Sequence, residues 1–462
     1  MTTRSRPTPP YGAGTSGDQL GLSPTLPDDS TIVDRSVTGA EIDESSATDS
    51  DHDSTYDRAE ETTPEQGGGT FLTLTYVGVF LFCAAYFFRP QDYIPALAFI
   101  PLGKITGVIA GLSLLLVVLS GALRLRTEMK WLLALFGWLV LCIPFSYWRG
   151  GSFHTVVLEF GKMVFIAVAA SAAVNSWSRL RRMMALQSIA MLGMCVLAFV
   201  AQRRYGRMYG TGNMFSDPND FALQLCIVLP FCVALLRTSR SWIGRLWWLS
   251  SIFVVLMAVV ETYSRGGFIA LIATLFFIWR RFKPSLSVAL PFFALALVIA
   301  TAFIAIKAPS YIDRISTIAE VNSDPTGSSQ QRMYLLVQSL KQTALHPVFG
   351  VGPGQFGELS GVWHETHNTY TQFSAEAGLP ALVLFLLFLR SGFRRLREKG
   401  KDGVPEENAL ASALQCSLAA YMVGAFFLST AYWLTPSLLV AYAAAAAPPC
   451  VREEQESDPC VE

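Results

Sequence analysis

From Phe71 onward, apolar runs recur along the chain, separated by short polar connections and by a single long one. A helix needs roughly 20 apolar residues to cross the hydrocarbon core of a bilayer. About twelve stretches approach or meet that length: 71–88, 102–121, 130–147, 155–174, 182–201, 218–236, 243–262, 266–280, 285–306, 369–389, 409–428 and 432–447. The expected fold is an all-α polytopic membrane protein. The long connection, 308–368, falls between the spans at 285–306 and 369–389. Polar loops of such length are uncommon unless they bind or catalyse. Inside it, SSQQRMYLLVQSLKQTALHP predicts an amphipathic helix. Ser328 or Ser329 would cap it, and Met333, Leu336, Val337, Leu340 and Ala344 would form its apolar stripe. Pro347 ends the pattern, and Gly350, Gly352 and Gly354 permit tight turns after it.

Composition agrees with the pattern: 52% of residues are apolar, 15% are charged, and the mean hydropathy is +0.40. This excludes a soluble domain with one core. The formal net charge of zero hides an asymmetry. Residues 1–70 hold four Arg against fourteen Asp and Glu, a net of −10, whereas the remainder holds 31 basic and 21 acidic residues, a net of +10. The first seventy residues are rich in Ser, Thr, Asp, Pro and Gly without apolar periodicity, the composition of a disordered tail. No apolar core follows a basic start near Met1, so no cleavable signal peptide is expected. The expected organisation is an acidic tail over 1–70, a membrane domain over 71–447 and a short C-terminal tail over 448–462.

Basic residues gather in alternate connections: RLRTEMK at 124–130, SRLRR at 178–182, RTSRSWIGR at 237–245, RRFK at 280–283 and RSGFRRLREKGK at 390–401. By the positive-inside rule these connections and both termini face the cytoplasm, and the long loop faces outward. The lipid bilayer is the expected surroundings and no nucleic-acid partner is expected. Of the eight cysteines, six lie within apolar stretches, where cysteine serves as a small hydrophobe. None forms a CxxC pair or a Cys/His cluster with zinc spacing, so neither a disulfide nor a structural metal is expected.

Against that charge pattern a few arginines stand out. Arg265, in ETYSRGG, is the lone cation of a glycine-flanked break between two apolar runs, and ionisable residues so placed tend to face an internal site. Arg203, Arg204 and Arg207, in AQRRYGRMYGTGNMFSDPND, fit solvated arginines or contacts to lipid phosphate. Arg332 sits in the first turn of the loop helix, where the helix dipole favours anions rather than cations. It reads either as a solvated side chain or, beside free backbone N–H groups, as part of an anion cradle. In HETHNTY, His364 and His367 are three apart, whereas zinc proteases need histidines four apart plus a third ligand. His367 and Asn368 instead stand where the loop meets the span beginning at Thr369. An imidazole there is either a structural hydrogen bonder or a base able to take a proton from a hydroxyl. Glu376, further along the same helix, would orient a partner or pair with an arginine.

The combination of SRGG, the following loop with QQRMYLLVQSLKQTALHPVFGVGPGQF, and HNTYTQFSAEAGLPALVLFL resembles the O-antigen ligase and polymerase superfamily. PND at 218–220, preceded by Arg207 and a glycine-rich turn, is also similar to that family. The resemblance runs from about Phe71 to Ala447. It implies an inverting glycosyltransferase of the GT-C type, working without metal or cofactor in the bacterial inner membrane. Such enzymes move a saccharide from an undecaprenyl-diphosphate carrier to a hydroxyl of a glycolipid, glycan or protein. The family's catalytic histidine corresponds to His367 and its two arginines to Arg265 and Arg332. Arg207, Asn219, Asp220, Asn368 and Glu376 are further candidates for binding substrate. Ligase and polymerase share the donor chemistry and differ in the acceptor. A membrane transporter is the alternative of another class; it would favour an inverted repeat with paired broken helices.

Overall fold

The computed structural model describes residues 64–201, 203–204, 206–211, 215–283, 328–362, 364–399 and 404–445. The longer helices among the described residues are α1 (Pro64–Phe88), α2 (Leu102–Leu119), α3 (Thr127–Cys142), α4 (Arg149–Ala173), α5 (Trp177–Ala201), α6 (Pro218–Thr238), α7 (Trp242–Glu261), α8 (Arg265–Phe282), α9 (Ser328–Leu345), α10 (Thr369–Lys399), α11 (Pro405–Gly424) and α12 (Leu434–Ala445). Two short strands, β1 (Arg203–Arg204) and β2 (Arg207–Met208), pair antiparallel in the connection before α6.

The protein is an all-α polytopic membrane protein. Among the described residues, eight helices are long and apolar enough to cross a bilayer: α1 to α7 and α10. Helices α8, α11 and α12 coincide with three more of the expected spans, and the stretch 285–306 lies outside the described residues. Twelve residues of α12 rise only about 18 Å, short of the hydrocarbon thickness. All twelve are nevertheless buried, because α12 packs against α3, α4, α10 and α11. Helix α6 is the other central element, enclosed by α5, α7, α8 and α11. At the periphery, α2 leaves Val108, Leu112, Leu115 and Leu119 exposed. A helix that is apolar all round and exposed on one side suits a lipid boundary.

Several boundaries differ from expectation. Helix α1 starts at Pro64, ahead of the apolar run, and the helix expected at 155–174 begins at Arg149 and passes through a π-helical stretch over His154–Phe160. The expected span at 409–428 ends at Gly424. The hydroxyls of Ser429 and Thr430 bond to the 366–369 backbone or side chains, which holds 425–433 as a connection rather than another helical turn.

Helix α9 forms where the sequence predicts it, but the face it buries is different. Leu335 and Ser339 are buried, whereas Met333, Val337 and Leu340 of the expected stripe are about half exposed. The reason lies in α10, which offers α9 small and polar partners. Thr343 bonds Ser374 at 2.9 Å, and Leu335 packs with Ala375 and Phe356.

Helix α10 is broken at Gly378, whose φ is +79°, and the glycine loop docks into that break. Pro380 has no N–H for the Glu376 carbonyl, which instead accepts from Gly352 N at 2.9 Å. Ala375 O likewise accepts from Val351 N, and Leu379 N donates to Pro347 O. A side chain at Gly378 would collide with the Val348 carbonyl, and one at Gly352 with Ser146.

Candidate active site

The turn that carries Arg265 is built before the arginine itself. Tyr263 takes a positive φ of 49°, and Ser264 caps α8 by accepting from Gly267 N at 3.0 Å. The Ser264 hydroxyl donates to Asn219 Oδ1 at 2.7 Å. Arg207 also donates to that oxygen, from Nη2 at 3.1 Å, and its Nε donates to the Thr262 carbonyl at 2.9 Å. Asn219 stands in the first turn of α6, its N–H held by the capping Asp217 carboxylate at 2.7 Å. Arg207 and Asn219 thus tie the β-hairpin and α6 to the turn that presents Arg265.

His367 is positioned from the opposite side. Its φ of 51° puts it in the left-handed region, which histidine tolerates better than most residues but still at a cost of about 1–2 kcal/mol. The surrounding bonds fix it there. Its N–H donates to Ser429 Oγ at 2.9 Å, and the Thr366 hydroxyl donates to Asn368 O at 2.8 Å. Asn368 Oδ1 accepts from the N–H groups of Tyr370 and Thr371, capping α10. Thr369 Oγ1 reaches Leu428 O at 2.7 Å and Thr430 Oγ1 at 2.8 Å.

These elements enclose a cavity of about 230 Å³. Arg265 and Gly266 of α8 line it, together with Arg332, Met333 and Leu336 of α9. Ile269 of α8, with Thr366, His367, Asn368, Phe426 and Phe427, completes the wall. Four of the candidates therefore meet in one space: Arg265, Arg332, His367 and Asn368. The others stand elsewhere. Arg207 and Asn219 lie behind the Arg265 turn. Asp220 is half-buried, within electrostatic reach of Arg332, Asp217 and Glu365 but outside the cavity wall.

Glu376 pairs with no arginine in the contacts described and does not line the cavity. Its buried carboxylate accepts from Gly354 N at 2.8 Å and from the Tyr432 hydroxyl, clamping the glycine loop to α10 and to the 425–433 connection. Sequence reading missed Ser264, Thr366 and Ser429. The available signal was the pair of hydroxyls that interrupts the apolar run FFLSTAYW.

Burial pushes the His367 imidazole down, and the positive charge of Arg332 adds to it, with a smaller push from His364; Asp217 opposes them, leaving a value of about 4. The ring is therefore neutral at pH 7 and has a lone pair free to accept a proton. The cavity combines two guanidinium groups, suited to an anion with several oxygens, with a neutral imidazole.

Residues 250–386 match the O-antigen ligase family model, which supports the O-antigen ligase superfamily for this stretch. The matched stretch contains Arg265, Arg332, His367, Asn368 and Glu376. No curated protein matches the chain. A solved chain from work on the coordination of polymerization and crosslinking by a peptidoglycan synthase complex is similar at 16% identity. It covers 70% of this chain and 98% of its own length, with a TM-score of 0.37.

Proposed function

We propose that this protein is an inner-membrane glycosyltransferase that moves a saccharide from an undecaprenyl-diphosphate carrier to an acceptor hydroxyl. The acceptor would be a lipid A core-like glycolipid or another surface glycoconjugate. The carrying observation is the convergence on one cavity of Arg265, Arg332 and His367, which are spread over about a hundred residues of the chain. The alternation of basic connections supports placing that cavity on the outer side, with both termini in the cytoplasm.

The cavity adjoins a groove of about 560 Å³ whose lining is almost wholly apolar, and the two share Phe426. Phe277, Tyr370, Leu382, Leu386 and Met422 line the groove along α8, α10 and α11. An apolar groove leading to a doubly cationic cavity suits a polyprenyl chain ending in a diphosphate.

In the proposed reaction the acceptor hydroxyl attacks the anomeric carbon and gives its proton to His367. The new C–O bond forms on the face opposite the phosphate, so the anomeric configuration inverts. The bond from the anomeric carbon to the phosphate oxygen breaks, and Arg265 and Arg332 take up the charge left on the diphosphate. The carrier's own negative charge also offsets Arg332, one of the groups that hold the His367 imidazole down. Donor binding thereby strengthens the base for the step that needs it.

The test uses purified protein in detergent with a polyprenyl-diphosphate-linked glycan and candidate acceptors. The expected result is release of free carrier diphosphate together with glycan attached to an acceptor. Appearance of the glycan on a glycolipid or protein would identify a ligase, and a lengthened carrier-linked glycan a polymerase. Donor left intact with every acceptor class, by protein that remains folded, would overturn the proposal.

A further inference from the structure

A second charged cavity, of about 390 Å³, lies at the other end of the α3–α10 pair. Thr127, Glu128 and Trp131 of α3 line it opposite Arg390, Arg394 and Arg395 of α10. Here α10 leaves its apolar stretch, which ends at Leu389, and α3 enters its own, with Trp131 one turn in. That register puts the cavity at a membrane–water boundary, the level that tryptophan favours.

The charges in and beside the cavity do not cancel. Arg126, at the N-cap of α3, lies within electrostatic reach of Arg395 and Glu128. Among the described residues, the three arginines that line the cavity face two carboxylates, Glu128 and Glu398. Arg394 bonds Glu398 at 2.9 Å on the exposed side of α10. The pairing of Arg395 is poorer: its Nε stands 3.9 Å from the buried Glu128 carboxylate, beyond hydrogen-bond length, and that buried Nε has no hydrogen-bond partner among the described residues. Arg390 is exposed at the rim. A surplus of one positive charge among the described lining residues, an unsatisfied guanidinium nitrogen and an interfacial tryptophan suit this cavity to an anion that arrives from the lipid.

We infer that this cavity binds the headgroup of an anionic phospholipid from the surrounding leaflet, its phosphate received by Arg390, Arg394 and Arg395. The leaflet supplies such headgroups at the depth of Trp131, and the apolar flanks of α3 and α10 would carry the acyl chains. This site is separate from the Arg265–His367 cavity, and its existence does not depend on the reaction catalysed there.

The experiment is native mass spectrometry of the full-length protein in detergent at about 0.15 M salt, titrated with phosphatidylglycerol or with phosphatidylcholine of the same acyl chains. The expected result is selective retention of one phosphatidylglycerol. In Arg390→Gln/Arg394→Gln its affinity should fall about 30-fold, as expected for two juxtamembrane cations. Both residues are exposed and their loss strands no buried charge, so this variant is expected to fold; its thermal unfolding checks that. Arg395→Lys, which keeps the charge but loses the fork, provides a second variant and should also weaken the lipid. Equal retention of the two lipids by the unaltered protein, or unchanged preference in the folded double variant, would overturn the inference. Displacement of the lipid by about 1 mM inorganic phosphate would contradict a lipid source and assign the site to a free anion.

Discussion

At the scale of residues, the site depends on how His367 is held and charged. Its low value comes from burial and from Arg332, so the proton-accepting form is populated throughout the neutral range. The dependence of kcat/KM on pH should therefore be flat from about pH 8 down to about pH 5 and fall only near 4; an inflection near 6.5 would show an ordinary exposed imidazole. The same shift acts on stability. An imidazole depressed in the folded state binds fewer protons than in the unfolded chain between pH 6.5 and about 4, so its contribution to stability falls as pH drops through that window. The left-handed backbone of His367 relies on Ser429 Oγ. Ser429→Ala should lower kcat about tenfold, on the scale of one lost hydrogen bond, with KM little changed. A raised KM at unchanged kcat would instead place Ser429 in ground-state binding. Arg265 and Arg332 stand out in the sequence as cations where the pattern disfavours them and His367 through the resemblance, and the structure brings the three to one cavity. Ser429 was not legible there, because its function rests on a contact 62 residues away.

At the scale of elements, broken helices and short turns set the site's geometry. Helix α8 begins where Ser264 caps it, and the same hydroxyl ties it to Asn219. Ser264→Ala should cost about 1 kcal/mol in stability and also reduce turnover by misplacing Arg265; loss of stability with full turnover would confine Ser264 to capping. The break in α10 lets the glycine loop replace the missing i to i−4 bonds. Gly378→Ala should destabilise the protein by at least about 2 kcal/mol, read as a lower unfolding temperature in detergent. Gly137→Ala, on an exposed face of α3 with open space around it, should be neutral or slightly stabilising. A Gly378→Ala protein as stable as Gly137→Ala would remove the docked break from the account. The helices themselves were legible, since apolar length alone locates membrane spans. The buried face of α9 was not: it meets small and polar partners on α10, so hydrophobic periodicity pointed to the wrong side.

At the scale of the whole molecule, the cavity is assembled from α8, α9, the approach to α10 and the connection after α11, and α6 supports it from behind through Asn219. No local pattern could announce that Phe426 and Phe427 would close the wall, because FFLSTAYW reads as the continuation of a span. In the proposed reaction two arginines hold a diphosphate and one histidine moves a proton. The most direct test measures, on each purified variant, both donor affinity and the single-turnover release of carrier diphosphate. His367→Ala should bind donor within about threefold of the unaltered protein yet release carrier about 10²–10⁴ times more slowly. Arg265→Ala and Arg332→Ala should weaken donor binding and slow release together. Release by folded His367→Ala at the unaltered rate, or full donor affinity and turnover without either arginine, would contradict the account.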